Sequence, residues 1–533
     1  MSTGVPAAAQ GTLASSVHVA VAEGTLAGRD SAGVRAFKGV PYAAPPVGAL
    51  RWRPTQPAEH WAGARDAGAY GPMCPQTDRL VRSYGGTMEP TSEDCLTLNV
   101  WTAARDSAAK RPVMVWIHGG SFTHGSGRTA IYDGTRLALE GAVVVTFNYR
   151  LGPLGFLAHP ALSAESPQHA SGNYAFYDQV AVLQWVRRNI AAFGGDADRV
   201  TIFGESAGAF SVGFHLASPM SRGLFHRAIM ESGSGLRDVT PLRAPSDSAR
   251  SAERSGIAFG RLLGVDGGAD AAARLRAISA DSIVRMSADV RAEGLGETVD
   301  GVFLTEQPMV SFARGRYARV PVIVGTNANE STILVRQLPV STPDQFEALV
   351  QKTYGRAAPA LLPLYPTDGA TGTVRAYRDL WTDAVFAAPA RATARTLSAA
   401  GVPAWRYYYT RVGGGMTGLA IGAFHASEIP FVFGALAVKS PLWGTTAYDS
   451  TLSDAMRGYW IQFAATGDPN GGPRPEWPRY DASTDGAMEF GPVVHASQGL
   501  RRAQFDVLEE VLRVRAEQHE RAAQAAARAG ANR

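Results

Sequence analysis

A serine set between two glycines is the residue of this chain best suited to act as a nucleophile. The run Gly204-Glu205-Ser206-Ala207-Gly208 has the spacing Gly-x-Ser-x-Gly and follows the apolar segment Val200-Thr201-Ile202-Phe203. A serine on a sharp strand-to-helix turn needs glycine two positions away on either side, because larger side chains there would collide. Residues 209–216 can continue as a helix. The local pattern therefore predicts a strand, a tight turn and a helix, with Ser206 exposed as a nucleophile.

A histidine must take the proton of this serine, because a serine hydroxyl is a weak nucleophile at neutral pH. In the chain order serine, acid, histidine, the histidines that follow the candidate acids are His425, His495 and His519. His425 lies in a loop of small residues that can bring an imidazole to a site. His519 lies in a charged terminal helix, and His495 follows a late strand, where a structural role is expected. Spacing therefore favours His425 as the base.

The carboxylate that orients the imidazole is expected where a buried strand ends. Glu330 follows the apolar strand that ends at Val324, and the active sites of α/β proteins form at the carboxyl ends of such strands. Asp300 and Asp383 remain alternatives, and Glu330 could instead cap the next helix. Position alone favours Glu330 and leaves the other two acids open.

A glycine turn upstream can stabilise the negative charge that develops on a reacting carbonyl group. His118-Gly119-Gly120-Ser121-Phe122 follows a second buried strand, and its glycines let backbone N–H groups approach a substrate. Together with the N–H of Ala207, the amides of Gly119 and Gly120 predict an oxyanion hole of three donors. The alternative, an ordinary glycine turn after a strand, is disfavoured by the neighbouring Ser206 pattern.

The composition narrows the classes of partner. The chain has 533 residues, of which 45% are hydrophobic and 18% charged, as is typical of globular proteins. Its 51 basic and 47 acidic residues leave a net charge of +4 and no long block of one sign, so nucleic acid is not expected as a partner. No apolar run approaches the roughly 18 residues of a membrane span. The serine chemistry requires no cofactor and no metal.

Short apolar runs predict a central sheet, because dense runs of this kind are typical of strands covered on both faces. They occur at residues 113–117, 142–147, 200–203, 228–230, 320–324 and 405–409. The alternating segment 17–45 predicts antiparallel hairpins at the N-terminus. Strands that alternate with helices define the α/β class. The expected fold is a central, mostly parallel mixed sheet flanked by helices, with N-terminal antiparallel hairpins.

The pattern along the chain predicts one large domain with two terminal segments. Residues 1–16 are expected to be a flexible tail, residues 17–515 the domain, and residues 516–533 the end of a solvated helix and a tail. Stretches with helical character at about 240–315 and 340–400 interrupt the strand pattern. They predict two helical cap insertions.

The cysteine content bears on the cellular compartment. Cys74 and Cys95 are the two cysteines of the chain, and they are either unrelated reduced thiols or a disulfide. The disulfide is the favoured interpretation and indicates an oxidising compartment. No Cys/His cluster surrounds them, so metal binding is not expected. The small-residue run 7–10 is similar to the end of a cleaved export signal, so a secreted or periplasmic location is favoured, with the cytoplasm as the alternative.

Longer segments extend the pattern to nearly the whole chain. They are the serine run 193–208, the run Glu93-Asp94-Cys95-Leu96-Thr97-Leu98-Asn99-Val100, and the segments 37–43, 148–152 and 463–470. Together they resemble the type-B carboxylesterase family, which includes bacterial para-nitrobenzyl esterases, animal carboxylesterases and cholinesterases. The resemblance implies an α/β-hydrolase fold.

The resemblance also implies an esterase that works through an acyl-enzyme. Ser206 is then the nucleophile, His425 the base and Glu330 the acid, with the oxyanion hole described above. The implied reaction is hydrolysis of small to medium, mostly apolar or aromatic carboxylic esters. A hydrolase of a carbamate, amide or glyceride is the alternative, and a non-catalytic binding protein on the same fold is a second one. A small-molecule ester is thus the expected partner of a monomer or small homo-oligomer.

Supporting residues follow from the same resemblance. Ser232 matches a serine that supports the hydrogen bonds of the triad, and Glu205, next to the nucleophile, is expected to act with it. Cys74 and Cys95 match the first disulfide of the family.

One segment departs from the cholinesterases. Residues 75–94 lack the tryptophan that in those enzymes stacks on a quaternary ammonium group. They contain Arg79, Arg82 and Tyr84 instead, which would suit an acidic or aromatic ester at the rim of the substrate pocket. Solvated surface arginines are the alternative. His124, just beyond the glycine turn, is expected at the entrance of the pocket.

Overall fold

The structure is a computed structural model that describes residues 15–78, 88–244, 250–289, 294–335, 337–438 and 444–531. Three predicted rim residues, Arg79, Arg82 and Tyr84, lie outside the described residues. The small-residue run 7–10 also lies outside them. The side chains of the last helix are described as far as residue 525.

One large sheet dominates the described part of the chain. The strands are β1 (Ser15–Val21), β2 (Gly24–Ser31), β3 (Val34–Pro41), β4 (Ala64–Asp66), β5 (Thr97–Thr102), β6 (Arg111–Ile117), β7 (Val143–Phe147), β8 (Gly195–Glu205), β9 (Arg227–Glu231), β10 (Thr240–Pro241), β11 (Thr298–Val299), β12 (Val322–Asn327), β13 (Ala404–Tyr409), β14 (Gly486–Phe490) and β15 (Val494–Gln498). All except β10 and β11, which pair with each other, belong to this sheet.

The strand order of the sheet is β1-β2-β3-β5-β7-β6-β8-β9-β12-β13-β14-β15, with β4 beside β2. The strands β7, β6, β8, β9, β12, β13 and β14 are parallel to their neighbours within that series. The N-terminal strands β1, β2, β3 and β5 pair in antiparallel fashion, as does β15 with β14. The predicted α/β fold, a mostly parallel mixed sheet with N-terminal hairpins, is confirmed.

Helices cover both faces of this sheet. They are α1 (Thr135–Leu139), α2 (Gly152–Phe156), α3 (Pro160–Ala164), α4 (Tyr174–Asn189), α5 (Ala207–Ala217), α6 (Ala252–Leu262), α7 (Ala271–Ala277), α8 (Ala280–Asp289), α9 (Pro308–Ala313), α10 (Ser331–Leu334), α11 (Pro343–Tyr354), α12 (Ala358–Leu361), α13 (Gly372–Thr382), α14 (Ala388–Ala399), α15 (Gly415–Ile421), α16 (Ile429–Phe433), α17 (Asp449–Thr466) and α18 (Arg502–Ala531). A π-helical turn, Asp383–Ala387, joins α13 to α14.

The central strands are apolar on both faces because both faces are covered. Val113, Val115 and Ile117 of β6 pack into one hydrophobic cluster, and Met114 and Trp116, which alternate with them, pack into a second. Side chains of a strand point alternately to opposite faces, so a run without polar residues requires cover on each side. The loops at the carboxyl ends of these strands are then the places where polar groups can gather.

Some boundaries differ from the predicted ones. Strand β1 begins at Ser15, two residues before the predicted start. Strand β12 continues to Asn327, three residues beyond the predicted end, because its ladder with β13 extends to the pair Asn327 and Tyr409. His495 lies within β15 rather than after a strand. Hydrogen bonding to a neighbouring strand prolongs these elements beyond their apolar residues.

The sulfur atoms of Cys74 and Cys95 form a disulfide, as predicted. Both cysteines are buried beside β5. Among the described residues, no helix combines the length and the apolar character that crossing a membrane would require.

Candidate active site

Ser206 lies on a strained turn between β8 and α5. Its backbone has φ 55° and ψ −120°, a region that residues other than glycine rarely adopt. The flanking glycines make this turn sterically feasible. A Cβ atom on Gly204 would lie 2.6 Å from the carbonyl oxygen of Ile117, and one on Gly208 would lie 1.9 Å from the same oxygen. The glycines are therefore required by contact with β6, in addition to the turn itself.

Backbone hydrogen bonds hold this turn on both sides. The amide of Ser206 donates to the carbonyl oxygen of Glu231 on the adjacent strand at 2.9 Å, and the amide of Phe210 donates to the carbonyl oxygen of Ser206 at 2.9 Å. The serine itself is half-buried. Within the described part of the chain its hydroxyl forms no hydrogen bond, so it is available to an incoming group.

The structure brings His425 and Glu330 into direct contact, although 95 residues separate them in the chain. Nδ1 of His425 lies 2.6 Å from Oε2 of Glu330. The other oxygen of this carboxylate, Oε1, accepts a hydrogen bond from the amide of Asn327 at 2.7 Å. Both side chains are buried. One carboxylate oxygen is thus left to orient the imidazole, while the other fixes the carboxylate itself.

The loops that carry these two residues are joined by backbone pairing. The amide of Asn329 donates to the carbonyl oxygen of Ala423 at 2.9 Å, and the amide of Ala423 donates to the side-chain oxygen of Asn329 at 3.0 Å. This pairing follows directly from β12, whose extension to Asn327 places Glu330 near the histidine loop. The geometry of the pair is therefore set by the sheet.

Glu205 contacts the other side of the imidazole. Its Oε1 lies 3.0 Å from Nε2 of His425, so the ring is held between two buried carboxylates. Burial alone lowers the pKa of His425, but the charges of Glu205 and Glu330 outweigh it and raise the pKa well above the ordinary value. Burial also raises the pKa of Glu205. The Nε2 edge of the ring thus lies beside Glu205, the residue directly before Ser206.

The two alternative acids are engaged elsewhere. Oδ1 of Asp300 accepts hydrogen bonds from the amides of residues 302–304, and its Oδ2 accepts one from the hydroxyl of Tyr177 at 3.0 Å. Asp383 accepts hydrogen bonds from Arg501 at 2.9 Å and from the hydroxyl of Tyr365 at 2.7 Å. Among the described residues neither acid contacts a histidine: Asp300 stabilises its own turn, and Asp383 pairs with the distant Arg501.

The two alternative histidines are also distant from this contact. The side chain of His495 is 52% exposed on the edge strand β15. His519 lies on α18, where its Nε2 is 2.7 Å from Asp238. Of the three histidines considered, His425 is the one that the structure brings to the serine turn.

The predicted oxyanion loop is strained. Gly120 has φ 112°, and the next two residues, Ser121 and Phe122, have φ 55° and 59°. A Cβ atom on Gly119 would lie 2.6 Å from Oε2 of Glu205 and 3.2 Å from Cβ of Ser206, so the loop passes directly beside the serine turn. Among the described residues the amides of Gly119 and Gly120 donate no hydrogen bond. Positions of this kind are found where a backbone must approach a ligand closely.

The third predicted donor, Ala207, is the first residue of α5. An amide at this position of a helix has no acceptor within the helix, and the helix dipole adds positive potential there.

His118, directly before the glycines, is stacked on Tyr149 with ring centroids 4.3 Å apart. Burial lowers the pKa of His118 to about 4, so it supports the loop as a neutral ring. The loop at Gly119 thus passes beside Ser206, and the amides of Gly119 and Gly120 have no hydrogen-bond acceptor among the described residues.

Ser232, predicted as a supporting residue, and His124, predicted at the entrance of the pocket, have different placements. Ser232 follows β9 with φ 54°, and its buried hydroxyl has no hydrogen-bond partner among the described residues. The structure therefore does not join Ser232 to His425. His124 is half-buried, with its Nδ1 2.7 Å from Oγ1 of Thr123 and its Nε2 2.7 Å from Oγ1 of Thr77. Its ring is held by hydroxyl groups at the loop after Phe122.

Aromatic rings line the other side of the imidazole. Phe386, in the π-helical turn, has its ring centroid 5.1 Å from that of His425. Phe210, one helical turn after Ser206, stacks on Phe386 at 6.2 Å with an interplanar angle of 22°. A π-helical turn is frequent at functional sites because it redirects one side chain. These two rings form an apolar wall beside the serine turn.

Sequence reasoning missed two buried carboxylates behind the site. Glu231 accepts a hydrogen bond from Nε1 of Trp460 at 2.8 Å, and burial raises its pKa to about 8. Glu428, three residues after His425, contacts Asn327, and burial raises its pKa well above the ordinary value. Both residues adjoin segments that carry predicted site residues, but a buried carboxylate has no signature in a single sequence.

The sheet and the site together define a class of protein. A serine on a tight turn at the carboxyl end of a central parallel strand, beside a histidine–carboxylate contact and unpaired loop amides, is the arrangement of an α/β-hydrolase. The model of the carboxylesterase family matches residues 15–508, and the chain belongs to this family.

Relatives of known activity agree with this assignment. A fumonisin B1 esterase from Sphingopyxis macrogoltabida is 39% identical over 473 residues, covering 88% of this chain and 85% of that protein. A para-nitrobenzyl esterase from Bacillus subtilis is 37% identical over 484 residues, covering 86% of this chain and 92% of that protein. A solved structure of a PNB esterase, 33% identical, superposes with a TM-score of 0.80 and covers 92% of this chain and 99% of that chain. The chain is a carboxylic ester hydrolase, which confirms the predicted reaction class.

Proposed function

We propose that Ser206, His425 and Glu330 form the catalytic triad of this esterase. The observation that carries the proposal is the contact of His425 with Glu330 at 2.6 Å, with Nε2 of the same ring beside Glu205, the residue directly before Ser206. A carboxylate on Nδ1 fixes the tautomer in which Nε2 can accept a proton, and it stabilises the imidazolium that forms.

The reaction follows from these positions. Oγ of Ser206 attacks the ester carbonyl while Nε2 of His425 takes the hydroxyl proton. The carbonyl oxygen becomes an oxyanion, which accepts hydrogen bonds from the amides of Gly119, Gly120 and Ala207. Collapse of this intermediate breaks the bond to the alcohol, which leaves with the proton from Nε2. Water, deprotonated by the same nitrogen, then attacks the acyl-enzyme and releases the acid.

The walls of the site support an apolar substrate. Phe210 and Phe386 present aromatic rings next to His425, and Phe122 lies beside the unpaired amides within a cluster with Phe156 and Phe176. Apolar and aromatic groups gain from contact with such rings. We therefore propose small to medium, mostly apolar or aromatic esters as substrates, and the relatives add fumonisin B1 to the esters that merit testing.

Covalent labelling tests the proposal at a single residue. A fluorophosphonate probe is expected to label the wild-type protein on Ser206, and Ser206→Ala is expected to lose the label and nearly all hydrolysis of para-nitrophenyl butyrate. Ser232→Ala is a matched control, because it removes a nearby serine hydroxyl that has no described partner. A Ser206→Ala variant that folds and keeps more than a few per cent of the activity would show that another nucleophile acts.

Substrate comparison separates the related reactions. Short soluble esters are expected to react faster than the corresponding anilides, carbamates or emulsified long-chain glycerides. The ranking is measured as kcat/KM for substrates that share one acyl group. Faster cleavage of the anilide or the emulsion would replace the esterase assignment by an amidase or lipase.

A further inference from the structure

A single arginine stands at the end of the aromatic wall. The guanidinium carbon of Arg237 lies 4.5 Å from the ring centroid of Phe210, which stacks on Phe386, which in turn contacts His425. Phe210 lies in the first turn of α5, four residues after Ser206, which directly precedes the helix. Two aromatic rings in series, Phe210 and Phe386, therefore connect this cation to His425.

The segment that carries Arg237 is held rigidly against α5. A Cβ atom on Gly213 of this helix would lie 2.3 Å from the amide nitrogen of Gly235, so segment and helix are in direct backbone contact. Two residues beyond the arginine, the amide of Val239 donates to the side-chain oxygen of Gln307 at 3.0 Å, and its carbonyl oxygen accepts from the same amide group at 2.5 Å. The backbone of the segment that carries Arg237 is thus held in place against α5.

The guanidinium keeps free donor capacity. Its Nη1 lies 3.0 Å from Glu297, and the arginine side chain is 40% exposed. Among the described residues, no partner contacts Nε or Nη2. The neighbouring acid, Asp238, is instead bound to α18, where it lies 2.7 Å from Nε2 of His519. An arginine has five N–H donors in a planar fork that fits a second carboxylate.

Arg237 also faces open space. It lines a cavity of about 480 Å³ together with Asp238, Val239, Arg250 and Glu297. The guanidinium, which packs on Phe210, is therefore also accessible to a small molecule from this cavity. A purely structural arginine stacked on an aromatic ring would need neither the cavity nor the unpaired donors.

We propose that Arg237 binds a carboxylate carried by the ester substrate, so that the enzyme favours anionic esters over neutral esters of the same shape. The proposal rests on the catalytic role of Ser206 proposed above and adds the substrate class. Charge-assisted hydrogen bonds to a carboxylate are stronger than neutral ones and are weakened by salt. The carboxylate belongs to either the acyl or the alcohol part of the ester, and matched substrate pairs distinguish the two.

The test compares kcat/KM for two pairs of substrates. Benzyl hydrogen succinate against benzyl levulinate places the charge on the acyl side, and para-carboxybenzyl butyrate against para-acetylbenzyl butyrate places it on the alcohol side. For wild-type enzyme the anionic member of one pair is expected to be preferred. In Arg237→Gln the ratio of anionic to neutral kcat/KM is expected to fall by about tenfold for that pair, and added salt is expected to lower the wild-type ratio.

Three further variants sharpen this test. Arg237→Lys keeps the charge and is expected to recover part of the ratio. Glu297→Gln removes the competing carboxylate and is expected to raise the ratio. Arg243→Gln is the matched control, because Arg243 is 55% exposed and lies 3.1 Å from Glu253, much as Arg237 pairs with Glu297. The ratio of anionic to neutral kcat/KM in Arg243→Gln is expected to equal that of wild type.

The outcomes separate this inference from the proposed triad. If the wild-type protein cleaves none of the four esters, the proposed esterase site is wrong. If it cleaves them but Arg237→Gln folds and leaves both ratios unchanged, the triad stands and the carboxylate contact is overturned. A ratio that falls equally in Arg243→Gln would also overturn it, because the effect would then reflect net charge alone.

Discussion

Nε2 of His425 lies 3.0 Å from Oε1 of Glu205, the residue that directly precedes the proposed nucleophile. Nδ1 of the same ring lies 2.6 Å from Glu330. Two carboxylates on one imidazole favour its protonated form and raise the pKa of His425, although burial alone opposes this. The proposed base must be neutral to accept the serine proton, so the environment of His425 is expected to set the pH range of activity.

Glu205→Gln is expected to shift the acidic limb of the kcat/KM profile to lower pH. The sign follows from the charge, because removing a carboxylate 3.0 Å from Nε2 destabilises the imidazolium and lowers the pKa of His425. A lower pKa makes the neutral base available at lower pH. The shift is measured from kcat/KM for one neutral ester as a function of pH, and the apparent pKa belongs to the coupled groups together.

Glu231→Gln is the matched control for this experiment. Burial raises the pKa of Glu231 to about 8, so below that pH it is already protonated and a glutamine replaces it without change of charge. The acidic limb of the kcat/KM profile of Glu231→Gln is therefore expected to remain near that of wild type. A shift to higher pH in Glu205→Gln would contradict the assignment of Glu205 as a carboxylate that stabilises the protonated ring.

The three triad residues are expected to act as a unit. Glu330→Gln and His425→Ala should each lower kcat by about a thousandfold or more, because each leaves Ser206 without a correctly oriented base. The double variant Ser206→Ala with His425→Ala is expected to retain the same residual activity as Ser206→Ala alone. Additive losses, measured as kcat for each variant on one ester, would mean that His425 acts independently of the serine.

Gly208→Ala is expected to remove activity and to destabilise the fold by about 1–3 kcal/mol. Its Cβ would lie 1.9 Å from the carbonyl oxygen of Ile117, so the backbone of the turn must move and Ser206 moves with it. Chemical denaturation gives the free energy of unfolding, and ester hydrolysis gives the activity. Gly486→Ala is the control, because its Cβ would meet other atoms at 3.7 Å or more. Full activity in Gly208→Ala would contradict the described turn.

Arg501→Gln is expected to destabilise the protein by about 3 kcal/mol. It leaves the carboxylate of Asp383, whose side chain is 1% exposed, without its ion-pair partner. Burial raises the pKa of Asp383 to about 6 even with Arg501 present. The same π-helical turn carries Phe386 against His425, so kcat is also expected to fall.

A double-mutant cycle checks this ion pair. Adding Asp383→Asn to Arg501→Gln removes the unpaired charge and is expected to recover part of the free energy of unfolding. Urea unfolding of the four proteins gives the coupling energy. A double variant that is less stable by the sum of the single losses would show that the two residues contribute independently.

Several features could be predicted because their causes are local. The apolar residues of β6 follow directly from cover on both faces, and the turn at Ser206 follows from glycines two positions away on either side. The proposed nucleophile and the glycine loop before Phe122 each lie within a few residues of a strand end. Such features can be recognised in the sequence, because strand periodicity and turn sterics depend on residues that are close to one another in the chain.

The partners of Ser206 depended on contacts between distant segments. Position in the chain left Asp300 and Asp383 as alternatives to Glu330, and the structure holds Asp300 in a turn and Asp383 on Arg501. The contact of His425 with Glu330 arises because β12 extends further than its apolar residues and places its loop against the histidine loop.

The contact of Glu205 with His425 and the contact of Arg237 with Phe210 also depend on tertiary structure. Glu205 approaches the ring because the turn at Ser206 points it toward the histidine loop, and Arg237 reaches Phe210 because its segment packs on α5. The sequence by itself determined the sheet and the family, and it predicted the nucleophile. Only the tertiary structure decided which charges surround the reacting groups, because burial and distance between remote residues exist only after the chain has folded.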